Sequence, residues 1–266
     1  MSEWILSGIT ILLFYITPLI LVSIIIRDVI TTRNRGRELD VISNGLRGRF
    51  ELLESLDIAG FDASLSNWLE VEVKNPKTNW LRASLRLFTQ AKLIGLGEGH
   101  REMLLKDHYY RDNVLQCGRL LTDSFENGNR EEVMSRIGTL FAVFLCKECD
   151  ESSIDKISSL EVDHIVLEAL TQSANRIQEG YLDADKYITN ALKTITGCCN
   201  PEKTGIPILL LQWASLRISH RHTTPLKKYN IIANSTQELS KQFLTIAEQY
   251  RKNDFAGAVD VVSKSF

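Results

Sequence analysis

This chain lacks any marked charge imbalance: 31 Lys and Arg stand against 33 Asp and Glu in 266 residues. With so small a net charge, no broad field gathers nucleic acid, and no strong nucleic-acid binding is expected. Two-residue alternation of apolar and polar positions is nearly absent too, which argues against a sheet protein. The single strand-like piece, "WLEVEVKNP" from Trp68, reads as a helix end. No Ser, His and Asp fall at spacings that suggest a nucleophile triad, and carboxylates do not gather into an acid–base pair. A second membrane-length apolar run is also missing. "GIPILLLQWASLRI" offers about a dozen apolar positions before Arg217 and contains Gln212, a length that suits a buried core helix. At 44% hydrophobic residues the chain is neither disordered nor wholly lipid-embedded.

One absence is local. From Trp4 to Ile26, 23 residues pass without Asp, Glu, Lys, Arg or His. At about 1.5 Å per residue, a helix of that length covers the ~30 Å bilayer core. Pro18 lies inside the run, where membrane helices tolerate proline. A cleaved signal peptide fits worse: the start, Ser2-Glu3, is acidic, the apolar stretch is too long, and "IIIRDV" has no small-residue cleavage pair. The run is therefore expected to be an uncleaved transmembrane helix. It is followed at once by Arg27, Arg33, Arg35, Arg37, Arg47 and Arg49. Positive residues beside a span stay on the cytoplasmic side, so the inner (cytoplasmic) membrane is the expected location, with the remaining ~230 residues in the cytoplasm. Ser7, Gly8 and Thr10 supply small residues for packing one anchor against another in lipid.

Beyond the anchor the apolar period is helical. Leu39, Ile42, Leu46, Phe50, Leu53 and Leu56 recur at three- and four-residue spacing and draw one stripe. "NPKTNWLRASLRLFTQAKLIGL" starts with a proline and a Thr cap, buries Leu81, Leu85, Phe88 and Ala91, and stops at Gly95. "HREMLLKDHYYRDNVLQCGRLLTDSFENG" reads as one long helix ending at Asn127-Gly128, and "NREEVMSRIGTLFAVFLCKEC" opens with acids at its positive end. Five further segments bring the expectation to about ten helices. The fold class is all-α: one N-terminal transmembrane helix, then an irregular helical bundle or a short stack of hairpins. Residues 1–31 are assigned to the anchor, 32–56 to a basic juxtamembrane segment and helix, and 57–266 to the cytoplasmic helical domain.

Tight helical hairpins are expected at four corners, Gly60-Phe61, Gly128-Asn129, Gly180-Tyr181 and Asp254-Phe255. The last two resemble tetratricopeptide hairpins, which carry a small residue just inside the second helix, here Ala184 and Ala258. That family repeats about every 34 residues. These corners fall 68, 52 and 74 residues apart, so the resemblance implies stacked hairpins and no regular array.

Four candidate chemical sites stand out. Cys146 and Cys149, with Cys198-Cys199 about fifty residues on, have thiolates for a zinc site, but no His lies near and Cys146 ends an apolar run. Packing is the reading adopted, and no metal or cofactor is expected. "GLGEGH" carries Gly95, Gly97 and Gly99, but no strand precedes it as a phosphate loop requires, so it reads as a joint between helices. "SHRHTTPLKK" gathers His220, Arg221, His222, Lys227 and Lys228 in what reads as a loop closed by Pro225. In "HREMLLKDHYY", six residues separate Arg101 from His108, two turns apart on one face of a single helix. An Arg-x(4–6)-His pair resembles the signature of the HEPN family, helical bundles whose dimers juxtapose two such pairs to cut RNA. The resemblance implies catalysis by His108 as acid or base with Arg101 steadying a phosphate. The bland alternative is a solvated face of Arg101, Glu102, Lys106 and Asp107. The leading expectation is non-catalytic: a membrane-anchored scaffold, sensor or effector that binds lipid through Trp4, Pro18, Ile26, Arg27, Arg33 and Arg35. It would bind a protein partner or itself, as a homo-oligomer. The alternative is a membrane-tethered HEPN-like RNase using Arg101 and His108.

Overall fold

The structure is a computed structural model describing residues 17–74, 76–145, 158–197, 204–223 and 229–264. Among these residues there is no strand, and eleven α-helices account for nearly the whole chain. They are α1 (Thr17–Glu54), α2 (Ile58–Asn67), α3 (Asn79–Gly95), α4 (Glu98–Lys106), α5 (His108–Asn127), α6 (Arg130–Leu145), α7 (Ser159–Gln178), α8 (Asp185–Thr196), α9 (Gly205–Thr223), α10 (Tyr229–Arg251) and α11 (Phe255–Lys264). The strand-like stretch is a π-helical turn, Trp68–Glu72, that ends α2.

At the centre lie α6 and α9. Every residue of α6 from Ile137 to Phe144 is buried, and Ile208 to Leu211 of α9 are sealed from solvent on all sides. That burial explains why "IPILLLQW" shows no helical stripe: a helix enclosed by neighbours is apolar all round. Around α6 pack α3, α5, α9 and α11; α7 pairs with α10, and α8 with α7 and α9. Since α11 also returns to α3, the last helix closes on the first half of the domain, and one core runs from Ile42 to Val262. Where α6 crosses α9 the backbones nearly touch. A Cβ on Gly138 would lie 1.7 Å from the Gly205 carbonyl oxygen, so both positions require glycine.

The first helix has two characters. From Leu39 to Leu53 its stripe enters the core against α5, where Gly118 lets the Phe50 ring sit directly on the backbone. Upstream, Ile20, Leu21, Val22, Ile24, Ile25, Ile26, Val29 and Ile30 are all more than half exposed. Leu56, expected to finish the stripe, instead takes a left-handed conformation (φ 63°) and is exposed. No helix among the described residues is long and apolar enough to cross a membrane. The expected span is thus not found in them; residues 1–16, with Trp4 and the small residues Ser7, Gly8 and Thr10, lie outside them.

Three corners share one device. The amides of Asp57, Tyr181 and Asp254 donate to carbonyls five residues back, while Leu56, Gly180 and Asn253 hold the left-handed turn residue. This is the Schellman close of a helix, which glycine adopts without strain. At two of these corners an aspartate then caps the next helix: Asp57 accepts from the Gly60 amide at 2.8 Å, and Asp254 from the Gly257 amide at 2.9 Å. The sequences agree, Asp57-Ile58-Ala59-Gly60 and Asp254-Phe255-Ala256-Gly257. The first hairpin therefore turns at Leu56, and the corner expected at Gly60-Phe61 is the opening turn of α2. Gly128 closes α5 in the left-handed conformation, as its corner required. Ala184 and Ala258 are buried at the α7–α8 and α10–α11 hairpins.

Candidate functional site

The helix expected to carry both Arg101 and His108 is two helices. Asp107 ends α4 and caps α5, accepting from the Tyr110 amide at 3.1 Å, so Arg101 and His108 lie on different elements and not on one face. His108 is exposed. Arg101 donates through Nη2 to Asp62 Oδ2 at 2.7 Å, and the other carboxylate oxygen of Asp62 holds Lys92 Nζ at 2.9 Å. Lys92 is buried and also hydrogen-bonded to Ser66. Arg101 is therefore one arm of an ion cluster that ties α2, α3 and α4 together. Half of its side chain remains in solvent.

Behind this cluster is a pair the sequence did not single out. His100 Nδ1 and Tyr110 Oη share a hydrogen bond at 2.8 Å, both side chains are buried, and the Phe144 ring meets His100 edge-on. Burial pushes the Tyr110 phenol well above the ordinary tyrosine range. Gly95 lies against the same Phe144 ring, where a Cβ would come within 2.4 Å. Gly97 is the N-cap of α4 and Gly99 lies inside that helix, so "GLGEGH" is the joint between two helices that its sequence suggested.

Of the other candidates, Cys146, Cys149, Cys198 and Cys199 lie outside the described residues. Among the described residues no three His, Cys, Asp or Glu side chains are placed to hold a metal ion. His220, Arg221 and His222 belong to the last turn of α9 rather than to a loop; Pro225, Lys227 and Lys228 lie outside the described residues.

A concavity lies where α1 leaves the core. A recess of about 720 Å³ opens between α1 and residues 72–78, lined by Arg35, Arg37 and Glu38 from the helix and Glu72, Lys74 and Lys77 from the connector. A second, of about 520 Å³, shares Arg35, Lys77 and Thr78 with it and adds Trp80, Arg130, Asp260 and Lys264. The acids are engaged: Arg49 binds Glu72 at 2.7 Å, Arg130 binds Asp260, and Glu38 accepts from the Lys77 amide at 3.3 Å. Arg35, Arg37, Lys74, Lys77 and Lys264 have no carboxylate partner among the described residues. Thr78, the N-cap of α3, lines both hollows and makes no side-chain cap. Arg35 was foreseen as membrane-flanking. Lys74 and Lys77 were not: their partner in the recess is some forty residues away in sequence, and only the fold brings them together. Arg27 and Arg33 sit exposed farther up α1.

No family model, curated protein or solved structure matches this chain.

Proposed function

We propose that this is a membrane-anchored protein whose helical domain works in the cytoplasm as a protein-interaction scaffold, sensor or effector and assembles with copies of itself. The observation that carries the reading is the exposed aliphatic surface of α1. From Ile20 to Ile26 six large aliphatic side chains point in every direction around the helix and none is covered by the domain. So large a contiguous apolar surface calls for lipid or another protein. Residues 4–16 continue it in sequence without a charge, which extends the apolar run to the length of a bilayer. Arg27, Arg33 and Arg35, exposed on the same helix, favour the cytoplasmic side for the domain. Lateral contact between anchors, aided by Ser7, Gly8 and Thr10, is the route to self-assembly.

Fractionation tests this. The full-length protein is expected to stay with membranes through an alkaline carbonate wash, and a reporter fused after Phe266 to be active only on the cytoplasmic side. Recovery in the supernatant, or a reporter active only outside, would remove the anchor and with it the assembly model.

A further inference from the structure

We propose that the recess between α1 and the 72–78 connector binds the phosphate headgroup of an anionic phospholipid; the choice of lipid rests on the membrane-anchor reading above. Three observations converge. The first is charge: the two adjoining hollows present six cationic side chains and three carboxylates, and each carboxylate is already held by Arg49, Arg130 or the Lys77 amide. Arg35 and Lys77, which line both hollows, are left to face solvent. Behind the wall Arg82 donates to the Pro76 carbonyl at 3.2 Å while its buried Nε finds no acceptor, adding a further positive charge without a carboxylate among the described residues. Arginine and lysine together at a concave site suit phosphate, the one by its fork and the other as a point charge.

The second is backbone. Thr78, the N-cap of α3, lines the recess without a side-chain cap, so the positive end of the helix dipole adds to the side chains.

The third is depth, which selects lipid over a soluble anion. The uncharged run ends at Ile26, and Arg35 follows nine residues later, roughly 13.5 Å along the axis. A headgroup layer is about 5–8 Å thick on each side of the hydrocarbon core. The mouth of the recess therefore lies just beneath the headgroup layer, facing its phosphates, when the run up to Ile26 is in lipid. A headgroup seated there would fix the domain against the membrane through two elements, α1 and the α3 connector, instead of one.

The test uses the full chain in neutral detergent, titrated with soluble short-chain phosphatidylglycerol and, separately, phosphatidylcholine, with native mass spectrometry counting bound lipid. Phosphatidylglycerol is expected to bind in preference, and the double variant Arg35→Gln, Lys77→Gln to bind it at least tenfold more weakly, since both cations that line the two hollows are removed. Lys193→Gln, outside the recess, is expected to bind as the wild type does, and circular dichroism checks that all three are folded. Equal binding of phosphatidylcholine, or unchanged binding by the double variant, overturns the proposal. Displacement of the lipid by an equal concentration of inorganic phosphate overturns the assignment to lipid. The titration needs no bilayer, so it can fail while carbonate-washed membranes still retain the double variant, which separates this inference from the anchor itself.

Discussion

Gly138→Ala tests the centre of the fold. The added methyl would sit 1.7 Å from the Gly205 carbonyl oxygen and 2.5 Å from its carbonyl carbon. An ordinary C···O approach is ~3.3 Å, so the α6 and α9 backbones must part by roughly 1.6 Å at the crossing. No flexible side chain can yield instead, since the obstacle is main chain. Moving α9 away also uncovers Ile208 to Leu211, all fully buried. Overpacked cores lose typically 1–3 kcal/mol, and a backbone obstacle places this case at or above about 3 kcal/mol. For a domain of this size each kcal/mol moves Tm by about 2–4 °C, which gives a fall of about 6–12 °C. Thermal unfolding followed by circular dichroism at 222 nm in detergent reads it. The paired control is Gly48→Ala on the exposed face of α1, where a Cβ meets nothing within 4 Å. There the gain in helix propensity should raise stability by about 0.5–1 kcal/mol. A Gly138→Ala protein within about 0.5 kcal/mol of wild type would refute the close crossing of α6 and α9.

Other perturbations test separate parts. Tyr250 donates to Asp163 at 2.6 Å and, like Tyr110, is held by burial well above the usual tyrosine range. A phenol whose pKa is raised on folding stabilises the protein below the unfolded value of ~10, and that contribution is lost as pH climbs above it. Urea midpoints should therefore be flat in this respect up to about pH 9 and fall above ~10, less steeply in Tyr250→Phe, which itself costs about 1–2 kcal/mol at neutral pH; an unchanged midpoint at pH 11 would contradict the burial of both phenols. Leu56→Gly removes a side chain from a left-handed turn and is expected to raise the urea midpoint by up to about 1 kcal/mol of stability, the residue being half exposed. Arg101→Ala frees one arm of the Asp62 cluster while Lys92 keeps the other, so the loss should stay under about 1 kcal/mol. If the protein acts as a scaffold, neither this variant nor His108→Ala should alter its cellular effect; loss of the effect in both, with folding and localisation intact, would return the RNase reading.

What the sequence made legible follows from how far each signal reaches along the chain. Stripes with one solvated side could be read: Leu81, Leu85, Phe88 and Ala91 are buried, as are Ile42, Leu46, Phe50 and Leu53. The corners at Gly128, Gly180 and Asn253 could be read because glycine and asparagine advertise the left-handed conformation. Leu56 hid the same turn, since nothing in a leucine announces it. The break at Asp107 was missed for a related reason: the apolar period passes through it from Leu104 to Tyr110, and the cap bond that the Tyr110 amide donates to Asp107 marks the start of a second helix. The recess was hidden on other grounds. Lys74 and Lys77 meet Arg35 and Arg37 through tertiary packing, and no local period encodes a meeting across forty residues.

The layout of α1 gives these features a common consequence. A single helix of 38 residues, roughly 57 Å, is bare and aliphatic at one end and built into the core at the other. It passes the recess on the way. Trp68 and Arg49 lock its lower part: the indole packs on Gly45, and Arg49 stacks 5.1 Å from the ring centre while binding Glu72 and the Ser64 carbonyl. An α-helix without a break is stiff along its length, so one element joins the aliphatic end, the Arg35 side of the recess and the α1–α5 contact. Gly36, with open space around its Cα, is the only glycine of α1 above Gly45, and therefore the point at which that element is softest. Gly36→Ala should leave stability within about 0.5–1 kcal/mol of wild type or above it. It should also slow hydrogen exchange of the amides around Arg35, because the stiffer helix opens less often there. Faster exchange at those amides would mean that the helix is not the rigid link between its aliphatic end and the core.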